Sequence, residues 1–136
     1  MFKLDERLKA DTVEVATIGL CVVRLMNDRT IPWLILVPQV EGAQEIYELD
    51  DPSRARLMDE LTLASRVMAD TYKPDKLNVA NLGNVVPQLH IHVIARTVND
   101  RAWPGPVWGA HGAAQYTEKG LEAALFTLRA AFKRVK

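Results

Sequence analysis

The sequence predicts an α+β domain in which a meandering antiparallel sheet packs against a long central helix and a C-terminal helix. Three observations indicate it: strand-length apolar runs in the first third of the chain, one long amphipathic segment in the middle, and a second one near the end. A chain of 136 residues has the size of one domain. We therefore expect a single domain over 1–136, with its core at about 12–108 and a C-terminal loop and helix at 109–136.

The N-terminal part predicts a short helix followed by an antiparallel hairpin. Leu4 and Leu8 lie one turn apart with acidic residues early, which favours a helix within 2–10, and a short strand follows at 13–15. The two strongest strand candidates are 20–26 and the run 33–37, which Pro38 closes. A short polar turn joins them, so the sequence predicts that they pair.

A long helix is predicted to begin near Asp51-Pro52, read as an N-cap and the first helical residue, and to run to about Tyr72. An apolar stripe recurs at helical spacing along it, and the charged residues, Glu60 included, fall elsewhere. The stripe consists of Leu57, Leu61, Ala64 and Met68. Core packing explains this stripe without a cofactor.

A strand at 76–80 leads into the stretch 88–94, where polar and apolar side chains alternate with the period of a strand. The alternation predicts that Leu89, Ile91 and Val93 face a core while Gln88, His90 and His92 share the opposite, solvent-facing side. Two neighbouring imidazoles can act as base or nucleophile near neutral pH, or bind a metal or an anion. A lone histidine would be read as a core residue, but the paired polar positions favour function.

The loop before this strand is rich in turn-forming residues, including Asn81, Gly83, Asn84 and Pro87. Read alone it predicts a tight hairpin turn. Next to two histidines it also fits a loop whose backbone N–H groups bind an anion.

The C-terminal part predicts a loop at 99–109 and a helix at 117–133. Trp103 and Trp108 in that loop either cover a pocket or partner surface, or anchor the loop on its own domain. His111 is expected to be exposed.

Composition narrows the class of partner. Seventeen basic and seventeen acidic residues cancel, which argues against nucleic acid and membrane surfaces as partners and leaves a small phosphorylated ligand. Acids in the first residues argue against an export signal, so we expect a cytoplasmic location. The single cysteine, Cys21, lies in an apolar run and is expected to be a buried, inert thiol.

The segment Gln88-x-His90-x-His92, with Gly83 before it and Arg96 after it, resembles the signature of the histidine-triad (HIT) family of nucleotidyl hydrolases and transferases. Gln88 stands where the family has its first histidine, as in a branch of bacterial HIT hydrolases with a Gln-Leu-His motif. The resemblance extends from the first strand to the Trp-Pro stretch. It implies the HIT fold, a homodimer and a nucleotide substrate. We assign no cofactor and no metal ligands from the sequence.

The resemblance also implies roles. His90 is the nucleophile that attacks the α-phosphorus of a dinucleoside polyphosphate or nucleoside phosphoramidate and forms a nucleotidyl-histidine intermediate. His92, Gln88, Asn81 and Asn84 are candidate donors to the phosphoryl oxygens. Gly83 belongs to the phosphate loop, and Asn27 or its neighbour Asp28 falls close to the family's ribose-binding position, although both also suit an ordinary turn.

Three departures from the family pattern keep an alternative open. Gln88 replaces a histidine, Trp33 stands where many relatives have another histidine, and Val85 stands where many have Ser or Thr. A nucleotide-binding or sensing protein without turnover would fit them. A metalloenzyme is the weakest hypothesis, because further ligands at a suitable spacing do not accompany the two histidines.

Overall fold

The structure is a computed structural model that describes residues 1–135, and these residues form three α-helices and a five-stranded antiparallel sheet. The strands are β1 (Thr12–Thr17), β2 (Cys21–Met26), β3 (Trp33–Pro38), β4 (Lys76–Ala80) and β5 (Ile91–Arg96). The helices are α1 (Glu6–Asp11), α2 (Asp51–Tyr72) and α3 (Glu118–Val135), with a short 3₁₀ turn at Ile46–Glu48. The predicted α+β class is confirmed. The last residue of the predicted domain, Lys136, lies outside the described residues.

The strand order is β1-β2-β3-β5-β4. The predicted hairpin is confirmed, because β2 pairs with β3 from Cys21 opposite Pro38 to Leu25 opposite Leu34. The chain meanders through the first three strands and then departs from that order, since β5 lies between β3 and β4. The strand that carries His92 is therefore central, and β4 forms an edge of the sheet.

Both faces of the central strands are buried. The residues of β3 alternate between two apolar clusters, with Leu34 and Leu36 in the larger one and Trp33, Ile35 and Val37 in the smaller one. The larger cluster includes side chains of α2 and α3, and the smaller one includes Leu8 of α1 and Val107 of the C-terminal loop. The face that carries the histidines is thus covered by protein.

Two details of α2 correct the prediction. Its N-cap is Asp50 and not Asp51, because the Asp50 carboxylate accepts a hydrogen bond from the Ser53 N–H at 2.8 Å. Glu60, expected on the polar side, is only 3% exposed. Its carboxylate accepts from the backbone N–H groups of Leu20 and Cys21, at 2.9 and 2.7 Å, so this buried charge holds the start of β2.

The remaining predictions concern the burial of Cys21, the C-terminal helix and the location of the protein. Cys21 is fully buried, and this burial raises the pKa of its thiol, as expected for an inert cysteine. The predicted terminal helix is confirmed as α3. In the described range 1–135, none of the helices has the length and apolar character needed to cross a bilayer. The cytoplasmic location stays a prediction.

Candidate active site

His90 lies directly before β5 and is held in one orientation by the backbone. Its Nδ1 lies 2.7 Å from the carbonyl oxygen of Gln88. A carbonyl oxygen only accepts, so Nδ1 carries the proton and donates it, which leaves Nε2 of the neutral ring with a free lone pair. The side chain is 4% exposed and lines a cavity.

His92 has the opposite tautomer. Its Nδ1 accepts a hydrogen bond from the indole Nε1 of Trp33 at 2.9 Å, and an indole N–H only donates. The proton of the neutral ring therefore lies on Nε2, which donates to the carbonyl oxygen of Leu82 at 3.1 Å. Burial lowers the pKa of His92 to about 4, so this ring is neutral at physiological pH.

The two imidazoles lie side by side, with ring centroids 4.9 Å apart, but they do not face solvent as the sequence predicted. Residues 88–90 lie outside the strand, which begins at Ile91, and His92 is only 3% exposed. The predicted division of faces is right, since Leu89, Ile91 and Val93 belong to the larger core. The polar side is covered by a layer that alternation within one strand does not reveal.

A cavity of about 280 Å³ that opens to solvent lies between the histidines and the residues that cover them. Its volume is close to the lower end of the size range of small-molecule sites. His90 and His92 line it together with loop residues 82–86. Most of the remaining wall is apolar and comes from four elements of the fold. These wall residues are Leu8, Met26, Ile35 and Trp108. A ligand in this cavity would therefore meet both imidazoles.

Gly83 lets the loop approach the His90 ring. A Cβ at this position would lie 2.5 Å from the Val86 carbonyl oxygen and 3.2 Å from Cε1 of His90. The first distance is too short for any side chain. A glycine is therefore required for this close approach.

Trp108 was expected either to cover a pocket or to anchor the C-terminal loop, and the structure shows that it does both. Its ring packs edge to face on His92, with centroids 4.9 Å apart, and on Trp33 at 5.9 Å. The side chain thus both anchors the loop on its own domain and forms a wall of the cavity. Trp103 instead lies against the guanidinium of Arg96, 5.8 Å from its ring centroid, and His111 is exposed as expected.

The side chain of Gln88 points away from the cavity. Its amide oxygen accepts from the Asp5 N–H and its amide nitrogen donates to the Lys3 carbonyl, both at 2.8 Å. An amide can make this paired contact with an extended backbone because it offers a donor and an acceptor together. Gln88 acts on the site through its backbone carbonyl, which orients His90.

Asn81 and Asn84 lie on the loop with exposed side chains. Asn84 lines the His90 cavity. Both line a second, polar groove of about 180 Å³, which also includes Glu45 and shares Gly83 with the first. The loop therefore separates an apolar cavity from a polar groove.

Asn27 and Asp28 do not line the cavity in this structure. The Asn27 side-chain oxygen accepts from the Tyr116 N–H at 3.0 Å. Asp28 is buried and pairs with Arg101 at 2.6 Å. Burial alone would raise the pKa of Asp28, but hydrogen bonds from Thr30 and Arg101 outweigh it and lower that pKa. Both side chains fasten C-terminal segments to the end of β2.

Sequence reasoning missed the contribution of α1. Arg7, Leu8 and Asp11 all line the cavity. Arg7 and Asp11 are spaced by four residues, which puts them on one face of a helix, so their spacing was the available signal. Nothing in the sequence showed that this face lies over the histidines.

A protein site for a metal ion needs a group of side chains close enough together to bind the ion. Among residues 1–135, no group of three or more His, Cys, Asp or Glu side chains is placed to hold a metal ion.

The chain is similar to known proteins over most of its length. The HIT domain family model matches residues 7–99. The chain is similar to a solved histidine triad protein from Marinobacter aquaeolei, with 47% identity, 100% of this chain and 99% of the other covered, and a TM-score of 0.95. It is also similar to one from Bradyrhizobium japonicum, with 42% identity, coverage of 96% and 97%, and a TM-score of 0.92. A third, from Sinorhizobium meliloti, has 43% identity, coverage of 96% for both chains, and a TM-score of 0.92. No curated protein matches the chain.

Proposed function

Because the chain belongs to the HIT domain family, whose members generally bind and hydrolyse nucleotides, we propose that it cleaves nucleotides at the α-phosphate through covalent catalysis by His90. The substrate is a dinucleoside polyphosphate or a nucleoside phosphoramidate. The observation that carries this proposal is the tautomer of His90, whose Nδ1–H donates to the Gln88 carbonyl at 2.7 Å. That contact leaves Nε2 unprotonated in the neutral ring, beside a cavity.

The reaction has two steps. The Nε2 lone pair attacks the α-phosphorus and forms a P–N bond, while the bond to the leaving group breaks and the leaving group takes its electron pair. Water then attacks the same phosphorus, the P–N bond breaks, and its electron pair returns to His90. Water supplies the hydroxyl group of the released nucleoside monophosphate, and its other proton balances the leaving group.

The Gln88 carbonyl supports both steps. The first step puts positive charge on the His90 ring, because both of its nitrogens are then substituted or protonated. A carbonyl oxygen 2.7 Å from Nδ1–H stabilises that charge and keeps the ring aimed at phosphorus. Gln88 therefore acts through its backbone, and the predicted donation from its side chain to the phosphoryl oxygens stays a prediction.

His92 supports the site as a neutral ring. Its Nε2–H holds the Leu82 carbonyl, which fixes the start of the loop next to Gly83. The same N–H is the candidate donor to a phosphoryl oxygen, and sharing it between the two acceptors needs a small shift of the loop. Asn84, Asn81 and the Gly83 backbone are proposed to supply further donors. The ribose role of Asn27 or Asp28 stays a prediction.

The test is His90→Ala, with His111→Ala as the matched control because His111 is exposed and outside the cavity. We expect His90→Ala to lower the rate of AMP release from an adenosine phosphoramidate by at least about 1,000-fold, as for loss of a nucleophile. Circular dichroism and thermal melting check that the variant is folded. Release of AMP at the parental rate would contradict the assignment.

One observation favours a second candidate, a nucleotide-binding protein without turnover. Both nitrogens of His92 are bonded within the protein, and the Gln88 amide is bonded to the backbone of Lys3 and Asp5, so neither side chain donates to the cavity in this structure. Tight binding of AMP without a covalent adduct, and without hydrolysis of either substrate class, would favour this candidate.

We also propose that the protein is a homodimer that pairs through the β4 edge. The outer side of β4 has no strand partner among residues 1–135. Val79 is 48% exposed and Met58 of α2 is 61% exposed, and both line an apolar groove on this side. Sedimentation equilibrium gives the test, and a monomer at micromolar concentration would contradict the proposal.

A further inference from the structure

The helix α1 forms part of the wall of the His90 cavity. Leu8 is buried in the smaller apolar cluster and fixes the helix to the sheet. Arg7 and Asp11 on either side of it line the same cavity as His90, and both remain exposed. The helix therefore presents one cationic and one anionic side chain to whatever the cavity holds.

The position of Arg7 is fixed from the histidine segment. Gln88 binds the backbone of Lys3 and Asp5 through its side-chain amide, with two contacts of 2.8 Å. The Asp5 carboxylate in turn accepts from the Arg7 N–H at 2.8 Å and caps α1. The chain segment that orients His90 thus also places Arg7.

Arg7 is the cationic side chain of this wall, and the ion pairs formed among residues 1–135 do not include it. They do not include Asp11 either. A guanidinium binds phosphate oxygens through two parallel hydrogen bonds. Asp11, one helical turn away on the same face, suits hydroxyl groups instead. Arg7 is therefore the charged group of this wall that attracts phosphate.

We propose that Arg7 binds a phosphate group of the leaving group, so that this site selects nucleotides with a polyphosphate chain over nucleoside phosphoramidates. The proposal rests on the proposed function, because it assumes that the α-phosphate lies at Nε2 of His90. With that position taken, Met26 and Ile35 offer a further phosphate no donor, and Asn84, Trp108 and the loop backbone offer only neutral ones. Only Arg7 can compensate its charge. An amine leaving group makes no such contact.

The test compares kcat/KM for diadenosine tetraphosphate and adenosine 5′-phosphoramidate in the parent, in Arg7→Gln and in Lys9→Gln. Lys9 is an exposed cation on the same helix that does not line the cavity, so it controls for net charge. We expect Arg7→Gln to lower the ratio of the two kcat/KM values, polyphosphate over phosphoramidate, by about 10- to 100-fold, as for loss of hydrogen bonds to a charged group. Lys9→Gln should leave the ratio unchanged. An unchanged ratio in Arg7→Gln, or an equal loss for both substrates, would overturn the proposal.

A binding measurement separates this proposal from the hydrolase assignment. Calorimetric titration of His90→Ala with ADP and with AMP needs no turnover. We expect ADP to bind more tightly than AMP, and the added Arg7→Gln change to remove that difference. If the parent cleaves neither substrate, the hydrolase assignment fails and the ADP-to-AMP affinity ratio alone decides the role of Arg7. Equal affinities before the Arg7 change would overturn it.

Discussion

The hydrogen bond from Trp33 to His92 should affect how the stability of the protein depends on pH. The folded protein keeps His92 neutral, with a pKa lowered from 6.5 to about 4 because the ring is buried. The unfolded chain therefore binds a proton that the folded chain does not bind, over the window between these two values. Stability should fall as the pH drops through that window, by up to about 3 kcal/mol from this group.

Trp33→Phe removes the indole N–H and leaves Nδ1 of His92 as a buried acceptor without its donor. We expect a loss of about 1–3 kcal/mol in the free energy of unfolding at pH 7.5. Protonation of Nδ1 no longer meets an opposing N–H, so the pKa of His92 should rise in this variant. The difference in stability between parent and variant should then shrink as the pH falls from 6.5 towards 4.5.

Urea denaturation at several pH values provides the assay, with Trp108→Phe as the control. Trp108 also packs on His92, and Trp108→Phe removes the same atoms as Trp33→Phe. Within the described chain, however, Trp108 makes no hydrogen bond to His92. Its curve should run parallel to that of the parent. If the Trp33→Phe curve also runs parallel, the indole does not control the protonation of His92 and the reasoning is refuted.

Two further predictions concern Glu60 and the Gly83 loop. Glu60→Ala leaves two backbone N–H groups at the start of β2 without their acceptor and should cost about 2–4 kcal/mol in urea denaturation, whereas Asp59→Ala, at an exposed neighbour, should cost less than about 0.5. Equal costs would show that the buried carboxylate does not hold the strand. Gly83→Ala must move the loop or the His90 ring, because its Cβ would lie 2.5 Å from the Val86 carbonyl oxygen, and it should lower kcat on the order of 100-fold. A parental kcat would mean that the close approach is not needed for the reaction.

The sequence was sufficient to predict the helices and strands whose apolar residues repeat at a regular spacing within one segment. The stripe of α2 and the alternation from Leu89 to Val93 predicted which side chains enter the larger core. Glu60 was misplaced because its backbone partners, Leu20 and Cys21, are about forty residues away and offer N–H groups that nearly any residue type would supply. Its side-chain partner Arg56 lies one helical turn away, a spacing equally typical of an exposed ion pair.

In the candidate site, too, the residues of one short segment could be predicted and the contacts between distant segments could not. Gln88, His90 and His92 could be singled out because they share one short segment. Their burial could not, since it depends on Trp33, Trp108 and α1, which approach from three distant parts of the chain. Arg7 was invisible for the same reason: its place at the cavity follows from the contact of Gln88 with residues 3 and 5.

The most direct test of the central claim is a mass measurement on the protein quenched at alkaline pH during turnover of an adenosine phosphoramidate. We expect an adenylyl group on the peptide that contains His90, linked to the ring nitrogen that does not contact the Gln88 carbonyl, and no such group in His90→Ala. Steady release of AMP with no adduct, or an adduct that persists in His90→Ala, would contradict the account.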